Sequence, residues 1–290
     1  MGRVMGEGKV IVVTGASDGI GAAAARRLHA NGHTVVIVGR SPDKTRAVAA
    51  ELGADFHVAD FTRLDEVEDL AGRLRAAYPR IDVLANNAGG VFGTRTKTVD
   101  GFEKTFQVNH LAPFLLTRRL LDVLIASRAS VLQTSSTVRF AGRIHLDDLD
   151  RDRDYHPVHA YGAAKLENIL FTMELHRRHH AEGLSAASFY PGNVATNFAS
   201  DTTSPVMRLI RFLAGNPLLR RAMLSTPEQG ADQIVWLAEG TPGTDWRSGA
   251  YYYRRKDSPP RNPQAFDADL ARGLWRRSEE LLADRLPDPA

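Results

Sequence analysis

Tyr161 and Lys165 stand four residues apart in a stretch of helical pattern, AYGAAKLENIL, so their side chains share one helix face. A phenol titrates near pH 10 in water (about 10), too high for efficient proton transfer at neutral pH. An ammonium held beside it favours phenolate and lowers that value. A Tyr-x-x-x-Lys pair is common on protein surfaces, and alone it carries little. Two other polar residues change its weight. Ser136 follows the apolar run SVLQTS, where its hydroxyl could bond a reacting carbonyl oxygen or simply cap a strand end. Asn109 lies inside the helical pattern TFQVNHLAPFLLT, where an amide is an indifferent helix former. It could bond backbone or water there and support a proton path to solvent, or be an ordinary polar helix residue. The chemistry open to this set is proton transfer at a carbonyl or hydroxyl oxygen.

A second constellation lies near the start of the chain. Thr14-Gly15-Ala16-Ser17-Asp18-Gly19-Ile20-Gly21 falls between an apolar run and an alanine-rich helical pattern. Glycines there let the backbone turn tightly and approach a pyrophosphate, while the next helix presents unpaired N–H groups and its positive dipole end. The spacing is G-x-x-x-G-x-G, not the G-x-G-x-x-G of the common dinucleotide fingerprint. Gly39 ends the second apolar run and is followed by Arg40 and Ser41. An acid at that place would bond a ribose 2′-hydroxyl; a guanidinium instead pairs with a 2′-phosphate. NADP(H) is therefore expected over NAD(H). Asp60, with Phe61 beside it, could accept from an adenine amino group. Asn86-Asn87-Ala88-Gly89 gives a small-residue strand end against which a dinucleotide could lie.

These residues need a scaffold, and the pattern supplies one. Apolar runs at 9–14, 34–39, 55–58, 81–86, 130–135 and 184–190 alternate with helical patterns reaching 31 and spanning 42–52, 64–78, 101–127 and 160–182. Continuous apolar strands separated by helices predict an α/β fold, a doubly wound parallel sheet of Rossmann type in three α/β/α layers. No linker or repeat interrupts it, so a single domain over 1–290 is expected. Two segments break the rhythm, the acidic stretch 142–158 and the apolar and basic stretch 198–226. Both follow strand ends and should shape a substrate side, the second as a lid. Tyr190, Phe198, Leu209, Phe212 and Leu213 suggest an apolar pocket.

Composition narrows the classes. The chain has 290 residues, 43% hydrophobic and 24% charged, in the ordinary globular range. It contains no cysteine, which excludes disulfides, thiolate nucleophiles and Cys-ligated metals, and no metal site is expected. The formal charge is only +3, and the arginines are scattered among acids rather than gathered into a tract, so nucleic acid is not an expected partner. No apolar run is long enough to span a membrane, and a cytoplasmic protein is expected.

TGASDGIG, NNAG, Asn109, Ser136, Tyr161-x-x-x-Lys165 and Pro191-Gly192-x-x-x-Thr196 occur in the order found in the short-chain dehydrogenase/reductase family, which the chain resembles over nearly its whole length. GRIHLDDLD, the segment YGAAKLENILFTMELHRR and the tail from 248 are similar to the branch of retinol dehydrogenases and WW-domain oxidoreductases. The resemblance implies a catalytic tetrad of Asn109, Ser136, Tyr161 and Lys165. It implies that Lys165 holds the nicotinamide ribose, that Thr196 meets the carboxamide, and that Pro191, Gly192 and Val194 line the cofactor beside them. The expected function is hydride transfer between NADP(H) and a ketone, aldehyde or alcohol, with an apolar, polycyclic ketone as the substrate type. Two departures bear on this: the membrane anchor common in animal retinol dehydrogenases is not seen, and Ala112-Pro113 stands where many members have glycine, which should only adjust the helix. Rival readings are a cofactor sensor without chemistry and a scaffold using the basic stretch 207–224. Family members often dimerise through the two long helices; a homodimer or a monomer shielded by 142–158 both remain open.

Overall fold

The computed structural model describes residues 8–138, 143–153, 155–194 and 225–285. Six apolar runs form strands: β1 (Val10–Thr14), β2 (Thr34–Gly39), β3 (Phe56–Val58), β4 (Val83–Asn86), β5 (Ser130–Thr134) and β6 (Ser185–Tyr190). Two more, β7 (Tyr251–Tyr253) and β8 (Lys256–Asp257), were not foreseen. The sheet runs β3-β2-β1-β4-β5-β6-β7-β8, parallel except for the last pair. Chain order reverses between β1 and β4, the switch point at which open α/β sheets bind ligands beyond the strand ends.

Helices cover both faces. On one side α1 (Gly19–Ala30), α2 (Pro42–Leu52) and α8 (Pro227–Glu239) bury Ala22 to Ala25, Val48 and Ile234 against Ile11, Val13 and Ile37. The small residues of α1 let its axis approach the sheet closely, which holds its N-terminus near the end of β1. On the other side α3 (Leu64–Ala77), α5 (Ala112–Arg119) and α7 (Pro157–His179) bury Leu70, Leu115 and Leu166 against Val12, Leu84 and Val131. Outside α7 lies α9 (Ala268–Leu281). Its Trp275 stacks on Phe171 at 5.6 Å and meets Phe114 edge-on at 5.0 Å, so α9 covers the outward faces of α5 and α7.

The long helix expected over 101–127 is segmented. Glu103 caps the short α4 (Lys104–Phe106), accepting from the N–H groups of Thr105 and Phe106. A π turn, Gln107–Leu111, then leads into α5, and α6 (Leu121–Ala126) follows. Pro113 has no N–H to give the carbonyl of Asn109, and the widened turn accommodates that gap. The acidic segment is tied down at both ends of its described part. Asp150 accepts from the N–H of Glu103 at 2.9 Å, and Ile144 exchanges two hydrogen bonds with the Gln264 side chain. No helix among the described residues is long and apolar enough to cross a membrane.

Candidate active site

β1 ends at Thr14, and its buried hydroxyl organises the next strand's exit. Thr14 Oγ1 donates to the carbonyl of Ala85 and accepts the N–H groups of Asn87 and Ala88, both at 3.0 Å. Asn87 Nδ2 returns a bond to the Thr14 carbonyl at 3.0 Å. The turn after β1 and the small-residue turn after β4 are thereby locked together. Gly15 has φ +66°, and a Cβ there would lie 2.8 Å from Ala88 Cα. At Gly21 it would lie 2.3 Å from the carbonyl oxygen of Gly15. The glycines are required by this close approach, which opens the N-terminus of α1 toward a ligand. Gly19 also has positive φ, and Asp18 Oδ1 accepts its N–H at 2.7 Å to cap α1. Ile20 packs beside Val194, both near the Cβ direction of Gly230 at the start of α8.

At the end of β2 the room for an acidic side chain is gone. A Cβ on Gly39 would stand 2.5 Å from Thr45 Oγ1 and 2.7 Å from Ser17 Cβ. Arg40 is exposed and makes no ion pair among the described residues, and Ser41 is half-buried beside it. Asp60 is half-buried at the end of β3, one oxygen held by the N–H of Thr62 at 2.9 Å. Phe61 is core, and its carbonyl accepts from Gln107 Nε2. Its backbone, not its ring, is therefore what borders this edge. Together these features fit a dinucleotide: a helix N-terminus approached through glycines, and a strand end that cannot carry an acid.

The four residues singled out for chemistry gather where β4, β5 and α7 meet. Asn109 is fully buried in the π turn. Its Oδ1 accepts the N–H of Gly90 at 3.1 Å, and Nδ2 donates to the carbonyls of Gly90 and Thr105. The amide is thus spent on fixing the 87–90 loop. Gly89 is the meeting point: a Cβ there would be 2.5 Å from Asn109 Oδ1 and 3.0 Å from Lys165 Nζ. Lys165 is 2% exposed and donates to the carbonyl of Thr134 at 3.2 Å. Its Nζ lies 5.5 Å from the centroid of the Tyr161 ring. Ser136 is half-buried and stands close enough to the Tyr161 phenol to favour its ionised form. The neighbouring Ser135 does something else. Its hydroxyl donates to the carbonyl of Lys165 at 2.6 Å and ties α7 to β5.

Burial governs the protonation of the pair. It pushes the Tyr161 phenol well above its ordinary value; the Ser136 side chain pulls the other way, and the Tyr190 and Tyr251 phenols push further up. It brings the Lys165 ammonium down to about 7. Desolvation is the largest influence on the phenol, and Lys165 is not among the groups that shift it.

A residue not foreseen completes the site. Tyr251 on β7 donates from its hydroxyl to the carbonyl of Ser136 at 2.8 Å, and so fixes the serine's backbone. Tyr190 and Tyr253 stack at 5.1 Å beside it, making an aromatic wall. The cluster YYY was visible in the sequence, but the pairing of β7 with β6 that aims it was not. Pro191, Gly192 and Val194 leave β6 toward the same end. Thr196, Phe198, Leu209, Phe212, Leu213 and the stretch 207–224 lie outside the described residues.

Comparison with known proteins agrees with this geometry. The model of the short chain dehydrogenase family matches residues 9–206. The chain is 43% identical over 284 residues to "Putative daunorubicin C-13 ketoreductase DnrU" of Streptomyces sp. (strain C5), covering 96% of this chain and 93% of that protein. It is 33% identical over 300 residues to human retinol dehydrogenase 13, covering 97% and 86%. Among solved structures, a protein of Mycobacterium paratuberculosis without an assigned function superposes with a TM-score of 0.74 at 32% identity, covering 96% and 95%.

Proposed function

This chain belongs to the short-chain dehydrogenase family and is an oxidoreductase that resembles the retinol dehydrogenases, and from that premise we propose that it reduces an apolar ketone with NADPH. The observation that carries the proposal is the convergence of Asn109 and Lys165 on Gly89, with the Tyr161 ring 5.5 Å from Lys165 Nζ and Ser136 beside its phenol, at the strand ends where the glycine turn opens α1. A nicotinamide dinucleotide, which the glycine turn, the 87–90 loop and Lys165 would hold, would supply hydride to the carbonyl carbon or accept it from the alcohol. Tyr161 gives the proton to the carbonyl oxygen, and its buried phenol is held in the protonated form this needs. Ser136 donates a second hydrogen bond to the same oxygen and orients it, with its backbone held by Tyr251. Lys165, poised near neutrality by burial, holds the ribose and exchanges protons behind the phenol. Asn109 fixes the 87–90 loop through both backbone groups of Gly90.

Support for NADP(H) is the crowded Cβ position of Gly39 beside Arg40, which makes no ion pair among the described residues. Support for a bulky, polycyclic ketone is the wall of Tyr190 and Tyr253 and the similarity to the relative named for daunorubicin C-13. We also read the chain as a monomer, because α9 occupies the faces of α5 and α7 through which the resemblance implies dimerisation. Binding of NADPH and NADH, with Arg40→Ala in parallel, tests the cofactor; NADPH should bind at least about tenfold tighter, and the preference should collapse in the variant. Equal or tighter NADH binding sinks that part. A carbonyl panel tests the substrate, and preference for small polar sugars over aromatic polycyclic ketones overturns it.

A further inference from the structure

The turn before α1 brings an acid to the corner where a 2′-phosphate has to be received. The N–H of Ala16 donates to the carbonyl of Val38 at 2.9 Å, and Ser17 fills the Cβ direction of Gly39. Asp18 is the next residue, so its carboxylate stands at the same end of β2 as Arg40. It cannot swing away freely, since Oδ1 is the N-cap acceptor of α1. An uncompensated carboxylate there repels a phosphate dianion and cancels the attraction of one guanidinium. Lys44, in the first turn of α2, meets this charge: its Nζ lies 3.0 Å from Asp18 Oδ2. The other acid of that turn, Asp43, is paired with Arg46 at 3.4 Å. Lys44 and Asp18 keep 57% and 52% of their side-chain surface, so the pair adds little to folding stability. What it changes is the charge of the corner. Among the described residues Lys44 is the cation hydrogen-bonded to Asp18 and Arg46 the one paired with Asp43, whereas Arg40 makes no ion pair.

We propose that Lys44 is a specificity-determining residue for NADP(H), acting through Asp18: it neutralises the acid of the glycine turn so that Arg40 can attract a 2′-phosphate. This rests on the NADP(H) reading above. Dissociation constants for NADPH and NADH are to be measured by fluorescence titration of the full chain as wild type, Lys44→Ala, Asp18→Asn and the double variant. Asparagine retains the capping oxygen at position 18, so α1 keeps its N-cap. Lys44→Ala should weaken NADPH about tenfold and NADH less than about twofold, and 0.5 M salt should shrink the difference. Asp18→Asn should tighten NADPH, and the double variant should return it to within about twofold of wild type. A wild-type preference for NADPH left unchanged by Lys44→Ala overturns the inference while sparing the reading. A loss that persists in the double variant also overturns it, because Lys44 would then touch the phosphate itself. A wild-type preference for NADH removes the reading and the inference together.

Discussion

Gly89→Ala probes the site with a single methyl group. Its Cβ would stand 2.5 Å from Asn109 Oδ1 and 3.0 Å from Lys165 Nζ. Ordinary C···O contact begins near about 3.3 Å, so roughly 0.8 Å must be opened. Asn109 cannot yield it cheaply: it is fully buried and holds three hydrogen bonds, two of them to Gly90 in the same loop. Lys165 is pinned to the Thr134 carbonyl. The displacement therefore falls on the 87–90 loop or on the ammonium, and a misplacement of about 1 Å next to the chemistry costs about 10²-fold. We expect kcat/KM for NADPH-dependent ketone reduction to fall about 30- to 100-fold. Overpacking should also cost about 1–3 kcal/mol, a fall in Tm of about 2–10 °C. Gly72→Ala is the control, since that exposed position in α3 has nothing within 4 Å of the added carbon. It should leave kcat/KM unchanged and raise stability by about 0.5–1 kcal/mol. A Gly89→Ala enzyme within threefold of wild type would refute the geometry of the tetrad.

The adjacent serines should separate by assay: Ser136→Ala should cut kcat by about 10²-fold with little change in Tm, whereas Ser135→Ala should cost about 1–2 kcal/mol of stability through its lost bond to α7 and spare most of the turnover. Glu167 is 3% exposed, its Oε2 has no hydrogen-bond partner among the described residues, and burial raises its carboxyl to about 8. Its protonated form is the stable one when folded, so its penalty is absent below about pH 4.5 and grows as pH rises through 8. Denaturant titrations across that range should show Glu167→Gln gaining on wild type from acid to alkaline pH, by at most about 5 kcal/mol, with no gain at pH 4; a pH-independent difference would contradict this. Trp275→Ala should lose about 3–5 kcal/mol by chemical denaturation, because the indole is 2% exposed between Phe114 and Phe171.

Much of this was legible before any coordinates. The strands β1, β2 and β4 are almost wholly buried and read as apolar runs, while the edge strand β3 is partly exposed, and the order of glycine turn, Asn109, Ser136 and Tyr161 pointed to the candidate site. What escaped had physical causes. β7 and β8 are three and two residues long, and neither offers an apolar run to set it apart from a turn. With them went Tyr251, whose place beside Ser136 follows from the register Ser188↔Tyr251 and not from spacing. The helix over 101–127 looked continuous because the π turn preserves its apolar pattern; only Pro113 hinted at the break. Glu103 reads as one more surface acid, yet it is 1% exposed and caps α4. The burial that raises the Tyr161 phenol was not legible, because charge is visible in a sequence and desolvation is not.

The most direct test of the central claim is deuteride transfer from deuterated NADPH to a polycyclic aromatic ketone by wild type and Tyr161→Phe, with NADPH affinity measured for both. Deuterium appearing at the carbinol carbon with wild type, and at least about 10³-fold more slowly with a variant that still binds NADPH as tightly, is the predicted result. Transfer at comparable rates would contradict Tyr161 as the proton donor, and with it the mechanism built on this site.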